Sequence, residues 1–261
     1  MKSEYQKDDI AGYFNQHCAP MYMHLRKGEE NHHVVFSTFI ISIDDEWFMV
    51  TAGHCLSEIE KAKKAGYTIV KTRLIDFGGL DPNNFLPVPF DYDAAPSAHL
   101  GDDKYDYGII HISRYYRRLM ESNNIVALNE ETWEKQPQNA EFYFLLGVPY
   151  QLSEVTEDNI KITTTLHTVT KCETVPKEFE KTDAPTFYGE IHLEKDITDI
   201  VGMSGGPLLS FKHTENGALR YWLCAVQSRW IPNKKLIAAC LMKPFASLVK
   251  NSMREVWNEN V

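Results

Sequence analysis

Three short segments of this 261-residue chain carry side chains that could work together in acyl transfer. Ser204 lies in the run Gly202–Pro207 (GMSGGP), His54 lies in the run Thr51–Cys55 (TAGHC), and Asp106 begins a short apolar run. A serine hydroxyl is a weak nucleophile unless a base removes its proton, and histidine suits that role because its unperturbed pKa is about 6.5. A carboxylate that accepts the other imidazole N–H holds the base in one tautomer. The order histidine, aspartate, serine therefore predicts a nucleophilic triad.

The residues around Ser204 are suited to stabilise a developing negative charge. Glycines stand at positions 202, 205 and 206 and allow backbone angles that other residues resist. Such a turn can direct successive N–H groups at one point, which is what an oxyanion hole requires. The segment predicts a nucleophile in a glycine turn.

The turn also fits, formally, the Gly-x-Ser-x-Gly elbow of α/β-hydrolases. In that fold the chain order is serine, acid, histidine, and the serine lies between a strand and a helix. After Ser204 the chain has no aspartate, and no acidic residue stands between Ser204 and His213, the only histidine there. The residues that follow the turn, 207–211, have the composition of a strand. Order and context both exclude this alternative.

His54 and Asp106 both lie at the ends of predicted strands. Residues 34–43 and 47–51 are rich in β-branched and aromatic residues and flank a polar turn, which predicts a hairpin. His54 follows the second strand of that hairpin. Asp106 directly precedes residues 107–112, which predict a short apolar strand.

The rest of the chain predicts further short strands, with a helix near each end. Residues 8–27 and the tail 244–258 have apolar residues at roughly helical spacing. Residues 78–104 carry many prolines and glycines and predict a loop, and the polar connection 125–139 is the predicted domain boundary. Many short strands without β-α-β alternation predict paired antiparallel barrels. The other predicted elements are helices at 56–65 and 113–124 and strands at 67–76, 141–148, 160–170, 187–193, 207–211, 219–226 and 236–242.

Composition and charge exclude several classes of protein. The 27 basic and 36 acidic residues give a net charge of −9, so non-specific nucleic-acid binding is not expected. Residues 1–9 are polar, and no segment approaches the about 18 apolar residues of a membrane span, so we expect neither a secretory signal nor membrane association. The five cysteines are widely spaced, which argues against a disulfide framework and a zinc site. We expect a cytoplasmic protein without a metal or other cofactor.

Taken together, the three segments resemble those of the chymotrypsin-fold (trypsin-like) serine proteases. TAGHC resembles the family's Thr-Ala-x-His-Cys, DYGII from Asp106 onward resembles its Asp-(Ile/Leu)-Ala-(Leu/Val)-Leu, and GMSGGP resembles its Gly-Asp-Ser-Gly-Gly-Pro. LGVP at 146–149 is similar to the Gly-(Tyr/Phe)-Pro of intracellular and periplasmic members. The resemblance covers about residues 34–242 and is nearest to intracellular members of the bacterial type.

The resemblance implies a mostly-β chain of two packed, antiparallel six-stranded β-barrels with helices at both ends. The implied units are an N-terminal helical extension over 1–33, a first barrel over 34–125, a second barrel over 140–242 and a C-terminal helix over 243–261.

The family's functional residues carry over to matching positions of this chain. The resemblance makes His54 the general base, Asp106 the carboxylate that orients it and Ser204 the nucleophile. The backbone N–H groups of Gly202 and Ser204 are expected to form the oxyanion hole. No residue is expected to bind a metal.

Two other aspartates, Asp102 and Asp103, are close enough in the chain to compete with Asp106. Asp106 is preferred because it directly precedes the predicted strand over 107–112, as the family pattern requires.

Three departures from the family pattern bear on regulation and specificity. Secreted members have an aspartate before the nucleophile, which captures a newly cleaved N-terminus, whereas this chain has Met203. Cys55 has no cysteine partner on the preceding strands. The floor of the specificity pocket carries the neutral Thr198, so a preference for Arg or Lys is not expected, and Asp199 and Arg229 are expected to reshape that pocket.

The resemblance implies a serine endopeptidase that cleaves a protein or peptide substrate through an acyl-enzyme. Two alternatives remain open. One is a binding module, or pseudoprotease, on the same fold. The other is a latent protease whose loop 196–203 is ordered by an activating partner protein. Met203, the atypical pocket and the long predicted loop 78–104 are compatible with the first of these.

Overall fold

A computed structural model describes residues 12–75, 87–101, 105–137, 139–155, 160–181, 183–194 and 196–258 of the chain. More of these residues lie in antiparallel strands than in helices, and none of the helices in these ranges combines the length and apolar character that a membrane crossing requires. The strands are β1 (Met21–Lys27), β2 (Glu30–Phe36), β3 (Phe39–Ile43), β4 (Glu46–Thr51), β5 (Thr68–Leu74), β6 (Val88–Pro89), β7 (Ser97–Gly101), β8 (Asp106–Ile112), β9 (Phe142–Gly147), β10 (Glu154–Val155), β11 (Ile160–Lys161), β12 (Thr165–Lys171), β13 (Thr186–His192), β14 (Pro207–His213), β15 (Leu219–Ile231) and β16 (Leu236–Leu241). The helices are α1 (Gly53–Lys64), α2 (Arg114–Ser122), α3 (Glu130–Glu134) and α4 (Met242–Asn258), with 3₁₀ turns at Tyr150–Leu152 and Pro232–Lys234.

The first half of the chain forms two four-stranded antiparallel sheets. Their strand orders are β2-β1-β5-β6 and β3-β4-β8-β7. The β3–β4 hairpin closes tightly because Asp44 and Asp45 both adopt positive φ angles, of 48° and 66°, in a two-residue turn. Apolar side chains from both sheets, including Met21, Met49 and Ile110, share one core. That core supports the strand ends from which His54 and Asp106 extend.

The second half closes into a six-stranded antiparallel barrel with the strand order β12-β13-β16-β15-β14-β9. Its strand β15 has 13 residues and pairs first with β14 and then with β16. The register between β15 and β16 shifts between Gln227 and Arg229, so Ser228 forms a bulge. A bulge bends a strand and redirects a side chain, and Ser228 contacts the candidate site as a result.

The predicted mostly-β fold is confirmed, together with one closed six-stranded barrel. The first half differs from the prediction, because its eight strands lie in two sheets and no ring closes among its described residues. The two sheets meet at one corner, where Cys18 bridges to Phe39 and the N–H of Ala19 donates to the Thr38 carbonyl at 3.1 Å. Ring closure depends on strand tilt and shear, which composition and periodicity do not encode.

The predicted N-terminal helical extension over 1–33 is wrong from Met21 onward. Residues 12–15 are helical, but β1 and β2 follow, and residues 1–11 lie outside the described residues. β1 is an inner strand between β2 and β5, and its first five residues are all buried. A strand buried on both faces carries consecutive apolar residues, so the spacing of Met21 and Leu25 imitates a helix. We propose that the first unit also includes β1 and β2, with its boundary still within 125–139.

The single strand predicted over residues 34–43 is two strands in the structure. β2 ends at Phe36 and β3 begins at Phe39. The side chains of the two residues between these strands bond to other segments. Thr38 donates its hydroxyl to the Ala19 carbonyl, and Ser37 donates its hydroxyl to the Gly202 carbonyl in the second half of the chain. The break therefore places a serine at the junction of the two halves.

The predicted tail helix is present as α4 and packs on the body of the protein. The ring of Phe245 stacks on Tyr107 with 4.3 Å between centroids, and Lys250 forms ion pairs with Asp44 and Glu130 at 3.2 and 2.7 Å. The predicted loop over 78–104 contains β6 and β7 instead, and its residues 78–86 and 102–104 lie outside the described part of the chain.

Candidate active site

His54 and Asp106 are brought together by the pairing of β4 with β8. In an antiparallel pair, the end of one strand lies beside the start of the other, and here Thr51 is opposite Gly108. His54 lies in the first turn of α1, which follows β4. The helix begins at Gly53. A Cβ there would lie 2.0 Å from the carbonyl oxygen of Leu100, so only glycine lets β7 pass so close.

The Asp106 carboxylate accepts three hydrogen bonds. His54 donates its imidazole Nδ1–H to Oδ2 at 2.7 Å and its backbone N–H to Oδ1 at 2.7 Å. Ser228, from the bulge in β15, donates its hydroxyl to Oδ2 at 2.5 Å. Because Nδ1 is engaged, the other imidazole nitrogen, Nε2, is left for chemistry. The competing Asp102 and Asp103 lie outside the described residues.

The hydrogen bonds of this pair shift the pKa values of both partners. The hydrogen bond to Asp106 raises the pKa of His54 above its usual value of about 6.5, with a smaller contribution from Cys55, while burial opposes the rise. Burial alone would raise the pKa of Asp106, but the hydrogen bonds from His54 and Ser228 outweigh it and lower the pKa. Asp106 is therefore ionised at neutral pH, and His54 is a stronger base than free imidazole.

The turn that carries Ser204 depends on two glycines with positive φ. Gly202 and Gly205 have φ angles of 95° and 88°, a region that favours glycine. A Cβ on Gly205 would lie 2.1 Å from the Thr51 hydroxyl oxygen and 2.4 Å from the Ser37 carbonyl oxygen. The bare glycine lets this turn of the second half lie directly against the first half, close to the segment that holds His54.

Two N–H groups in this turn, those of Gly202 and Ser204, donate to no backbone carbonyl among the described residues. The Val201 carbonyl accepts the N–H of Tyr150 at 2.7 Å, and the Met203 carbonyl accepts the N–H two residues after Ser204 at 2.9 Å. In a trans peptide the N–H points away from the C=O, so the N–H groups of Gly202 and Ser204 point away from those partners. The role of this pair as an oxyanion hole stays a prediction.

His54 and Ser204 line the same cleft, which has a volume of about 290 Å³. Side chains of β2 and Trp230 also line it, and the Cys55 thiol donates to the Ser204 carbonyl at 3.8 Å. Asp106 lies behind His54. Within the described chain, no hydrogen bond joins the Ser204 hydroxyl to the imidazole. The structure thus has the histidine–aspartate bond formed and the serine–histidine bond not formed.

Of the three predicted pocket residues, Asp199 supports the wall of the cleft from behind. Its carboxylate oxygen Oδ1 accepts the indole N–H of Trp230 at 2.9 Å and the backbone N–H of Val201 at 3.0 Å. Asp199 therefore connects a cleft-lining aromatic ring with the turn that leads to Ser204.

The other two predicted pocket residues have partners outside the cleft lining. Thr198 donates its backbone N–H to the side-chain oxygen of Gln151 at 3.1 Å, and the guanidinium of Arg229 lies 5.6 Å from the ring centroid of Phe179. The role of these residues in binding substrate stays a prediction.

Sequence reasoning missed Ser228 as part of the site. Ser228 stands 122 positions from Asp106 in the chain, and nothing in the local sequence distinguishes it from other strand serines. In the described part of the chain, no three His, Cys, Asp or Glu side chains are grouped so that they could hold a metal ion.

Comparisons with known proteins identify the fold. No family model matches the sequence, and no curated protein matches it. The thermostable serine protease AL20 from an extremophilic microorganism is 13% identical with a TM-score of 0.52, over 92% of this chain and 97% of that one. Deg5 is 14% identical with a TM-score of 0.50, over 94% of this chain and 95% of that one. The scabies mite inactivated protease paralogue S-I1 is 13% identical with a TM-score of 0.52, over 90% of this chain and 94% of that one. At such identities the likeness concerns the fold alone, and the predicted chymotrypsin fold is confirmed.

Proposed function

We propose that this chain is a serine endopeptidase that hydrolyses peptide bonds of a protein substrate through an acyl-enzyme, with Ser204, His54 and Asp106 as its triad. One observation carries the proposal. The imidazole of His54 is bound through Nδ1 to a carboxylate that is only 12% exposed, while the imidazole itself lines the cleft that contains Ser204. The chymotrypsin fold, which known serine proteases share, supports the same function.

In the first step, the Ser204 hydroxyl oxygen attacks the carbonyl carbon of the scissile peptide while Nε2 of His54 takes the hydroxyl proton. The imidazolium that forms is stabilised by the ionised Asp106. The step requires the hydroxyl to turn toward Nε2 when substrate binds. Hydrogen bonds of this kind are often long in an empty site and shorten in the substrate complex.

The carbonyl oxygen of the substrate becomes negatively charged as the Ser204–carbon bond forms. The N–H groups of Gly202 and Ser204 donate to it, and losing one such donor typically costs about 10²–10³-fold in rate. The C–N bond then breaks, and His54 gives its proton to the leaving amine. A water molecule attacks the remaining ester with His54 again as base, which releases the carboxylic acid and restores the Ser204 hydroxyl.

A second candidate is a pseudoprotease, or a protease that stays latent until a partner protein acts on it. Two observations favour it. The Ser204 hydroxyl makes no hydrogen bond to His54 within the described chain, and one protein of the same fold, S-I1, bears the name of an inactivated protease. In this candidate, the loop over 196–203 is the element that a partner orders.

A fluorophosphonate probe, which phosphonylates activated serines, separates the two candidates. We expect stoichiometric labelling of the folded wild type, an adduct that maps to the peptide carrying Ser204, and labelling lost in Ser204→Ala. The Cys55→Ala variant is the control, because it removes the other nucleophilic side chain that lines the cleft and should still be labelled. A folded wild type that is not labelled would contradict the enzyme and support the pseudoprotease or latent form. Cleavage of a proteome-derived peptide library would then define the substrate.

We also propose a cytoplasmic location. All five cysteines carry free thiols in the structure, which is the state that a reducing compartment maintains.

A further inference from the structure

We propose that Ser37 is a positioning residue of the proposed oxyanion hole, because its hydroxyl, supplied by the first half, holds the Gly202–Met203 peptide, which lies between the N–H groups of Gly202 and Ser204 in the second half. This inference rests on the proposed function, in which Ser204 is the nucleophile and the Gly202 N–H binds the oxyanion.

The Ser37 hydroxyl bonds two partners from the other half of the chain. It donates to the Gly202 carbonyl at 2.7 Å and accepts the backbone N–H of Val148 at 2.9 Å. The partners stand 165 and 111 positions away in the chain, and Ser37 is only 2% exposed. A buried hydroxyl with both its donor and its acceptor satisfied has little freedom to move, so it connects the end of β9 rigidly with the turn.

These bonds matter because Gly202 is the flexible point of the turn. The peptide before it is held by the bond from Tyr150 to the Val201 carbonyl. The peptide after it is held by Ser37 at its carbonyl and by the Ile200 carbonyl at its N–H, 2.9 Å away. A glycine between two peptides can otherwise rotate at little cost. With the Ser37 bond removed, the second peptide keeps only its bond to Ile200. That peptide lies between the two proposed oxyanion donors, so the direction of the Ser204 N–H relative to the Gly202 N–H is then less firmly fixed.

Ser37 is itself held from the segment that leads to His54. Its carbonyl accepts the Thr51 hydroxyl at 3.0 Å and lies against the bare Cα of Gly205. Thr51 is the last residue of β4, three positions before His54. The same serine therefore contacts the end of the strand that presents the base and the turn that presents the oxyanion donors.

The test compares Ser37→Ala with Ser210→Ala. Ser210 is a serine of β14 that is 3% exposed and donates to a strand carbonyl at 3.5 Å, so its variant loses a similarly buried hydroxyl. For Ser37→Ala we expect the fluorophosphonate labelling rate to fall about tenfold, less than the about 10²–10³-fold of a lost donor. The pH midpoint of labelling should stay that of the wild type, since His54 and Asp106 are untouched. Ser37→Thr, which keeps the hydroxyl, should recover most of the rate, and Ser210→Ala should match the wild type.

Hydrogen exchange of the peptides that cover 196–206 gives a second measurement that does not depend on activity. We expect faster exchange in Ser37→Ala and unchanged exchange in Ser210→Ala. If Ser37→Ala and Ser210→Ala have the same labelling rate and the same hydrogen exchange over 196–206, the inference is wrong even when the wild type is labelled. If the wild type is folded but not labelled, faster exchange still supports the positioning role while the proposed function fails. Should Ser37→Ala not fold, Ser37→Cys, with its weaker donor, takes its place.

Discussion

The two halves of the molecule present their parts of the site by different physical means. In the first half, His54 and Asp106 are held by side-chain hydrogen bonds around one ionised carboxylate. In the second half, Ser204 and the N–H groups beside it are held by backbone hydrogen bonds and by glycines that allow close approach. The first arrangement fixes the position of a charged pair, and the second fixes the conformation of the backbone. A change of charge should therefore damage one half of the site, and an added methyl group should damage the other.

Neither half completes its own part of the site. Ser228 of the second half donates its hydroxyl to Asp106 of the first, and Ser37 of the first half donates its hydroxyl to Gly202 of the second. Each half thus supplies one buried serine hydroxyl to the other. The exchange makes the geometry of the site depend on how the two halves pack, and it gives each half a separate point at which it can be perturbed.

Removing the charge of the first half should have the largest effect among the changes outside the nucleophile. In Asp106→Asn we expect the labelling rate to fall about 10⁴-fold, because an amide no longer holds His54 in the tautomer that leaves Nε2 free to accept a proton. The pH midpoint of the remaining labelling should move down toward about 6.5, because the carboxylate is the main cause of the raised pKa of His54. Asp93→Asn, at an exposed aspartate paired with Lys63, is the control and should change neither quantity.

The same pKa shifts predict how Asp106→Asn changes stability with pH. A raised pKa in the folded state gives stability that is complete below the unfolded pKa of His54, about 6.5, and is lost as pH rises through the folded pKa. The lowered pKa of Asp106 gives stability that is complete above about 3.9 and is lost as pH falls through the folded pKa. The difference in Tm between wild type and variant should be largest between those two values. A difference that grows above that window would contradict the assignment.

A single added methyl group should damage the second half next most strongly. In Gly202→Ala, the Cβ would lie 2.7 Å from the Val148 carbonyl oxygen at a φ of 95°, so the turn must shift. We expect labelling to fall about 10²–10³-fold, as for a lost oxyanion donor, with no change in its pH midpoint. Gly217→Ala is the matched control, because Gly217 has a φ of 80° and nothing within 4 Å of its Cβ position. Both variants should lose about 1–2 kcal/mol to the left-handed backbone, but equal labelling rates would show that the Gly202 turn is not part of the site.

The sequence predicted the parts of the site that local chemistry controls. The chain order of His54, Asp106 and Ser204, the strand ends that carry the first two, and the glycine turn all follow from short segments. Ser37 and Ser228 could not be predicted, because each hydroxyl bonds a partner more than a hundred positions away and an isolated strand serine has many ordinary uses. The arrangement of the first half escaped prediction for a similar reason. Whether strands close into a ring, and whether an apolar run such as β1 is a buried strand, depends on neighbours distant in the chain.

The smallest expected effect comes from the hydroxyl that the second half supplies to the first. In Ser228→Ala, Asp106 keeps both hydrogen bonds from His54 and loses only the third. We therefore expect labelling to slow about tenfold, which corresponds to the lower end of the about 1.5–3 kcal/mol of a hydrogen bond to a charged group. Combining Ser228→Ala with Ser37→Ala tests whether the two halves act independently. The Ser228 hydroxyl acts on the charged Asp106 carboxylate, and the Ser37 hydroxyl acts on the backbone of the Gly202 turn. The two losses in labelling rate should therefore multiply, to about a hundredfold. A double variant no slower than either single variant would mean that both serines serve one shared packing contact, and the distinction between a half that fixes a charged pair and a half that fixes backbone conformation would then fail.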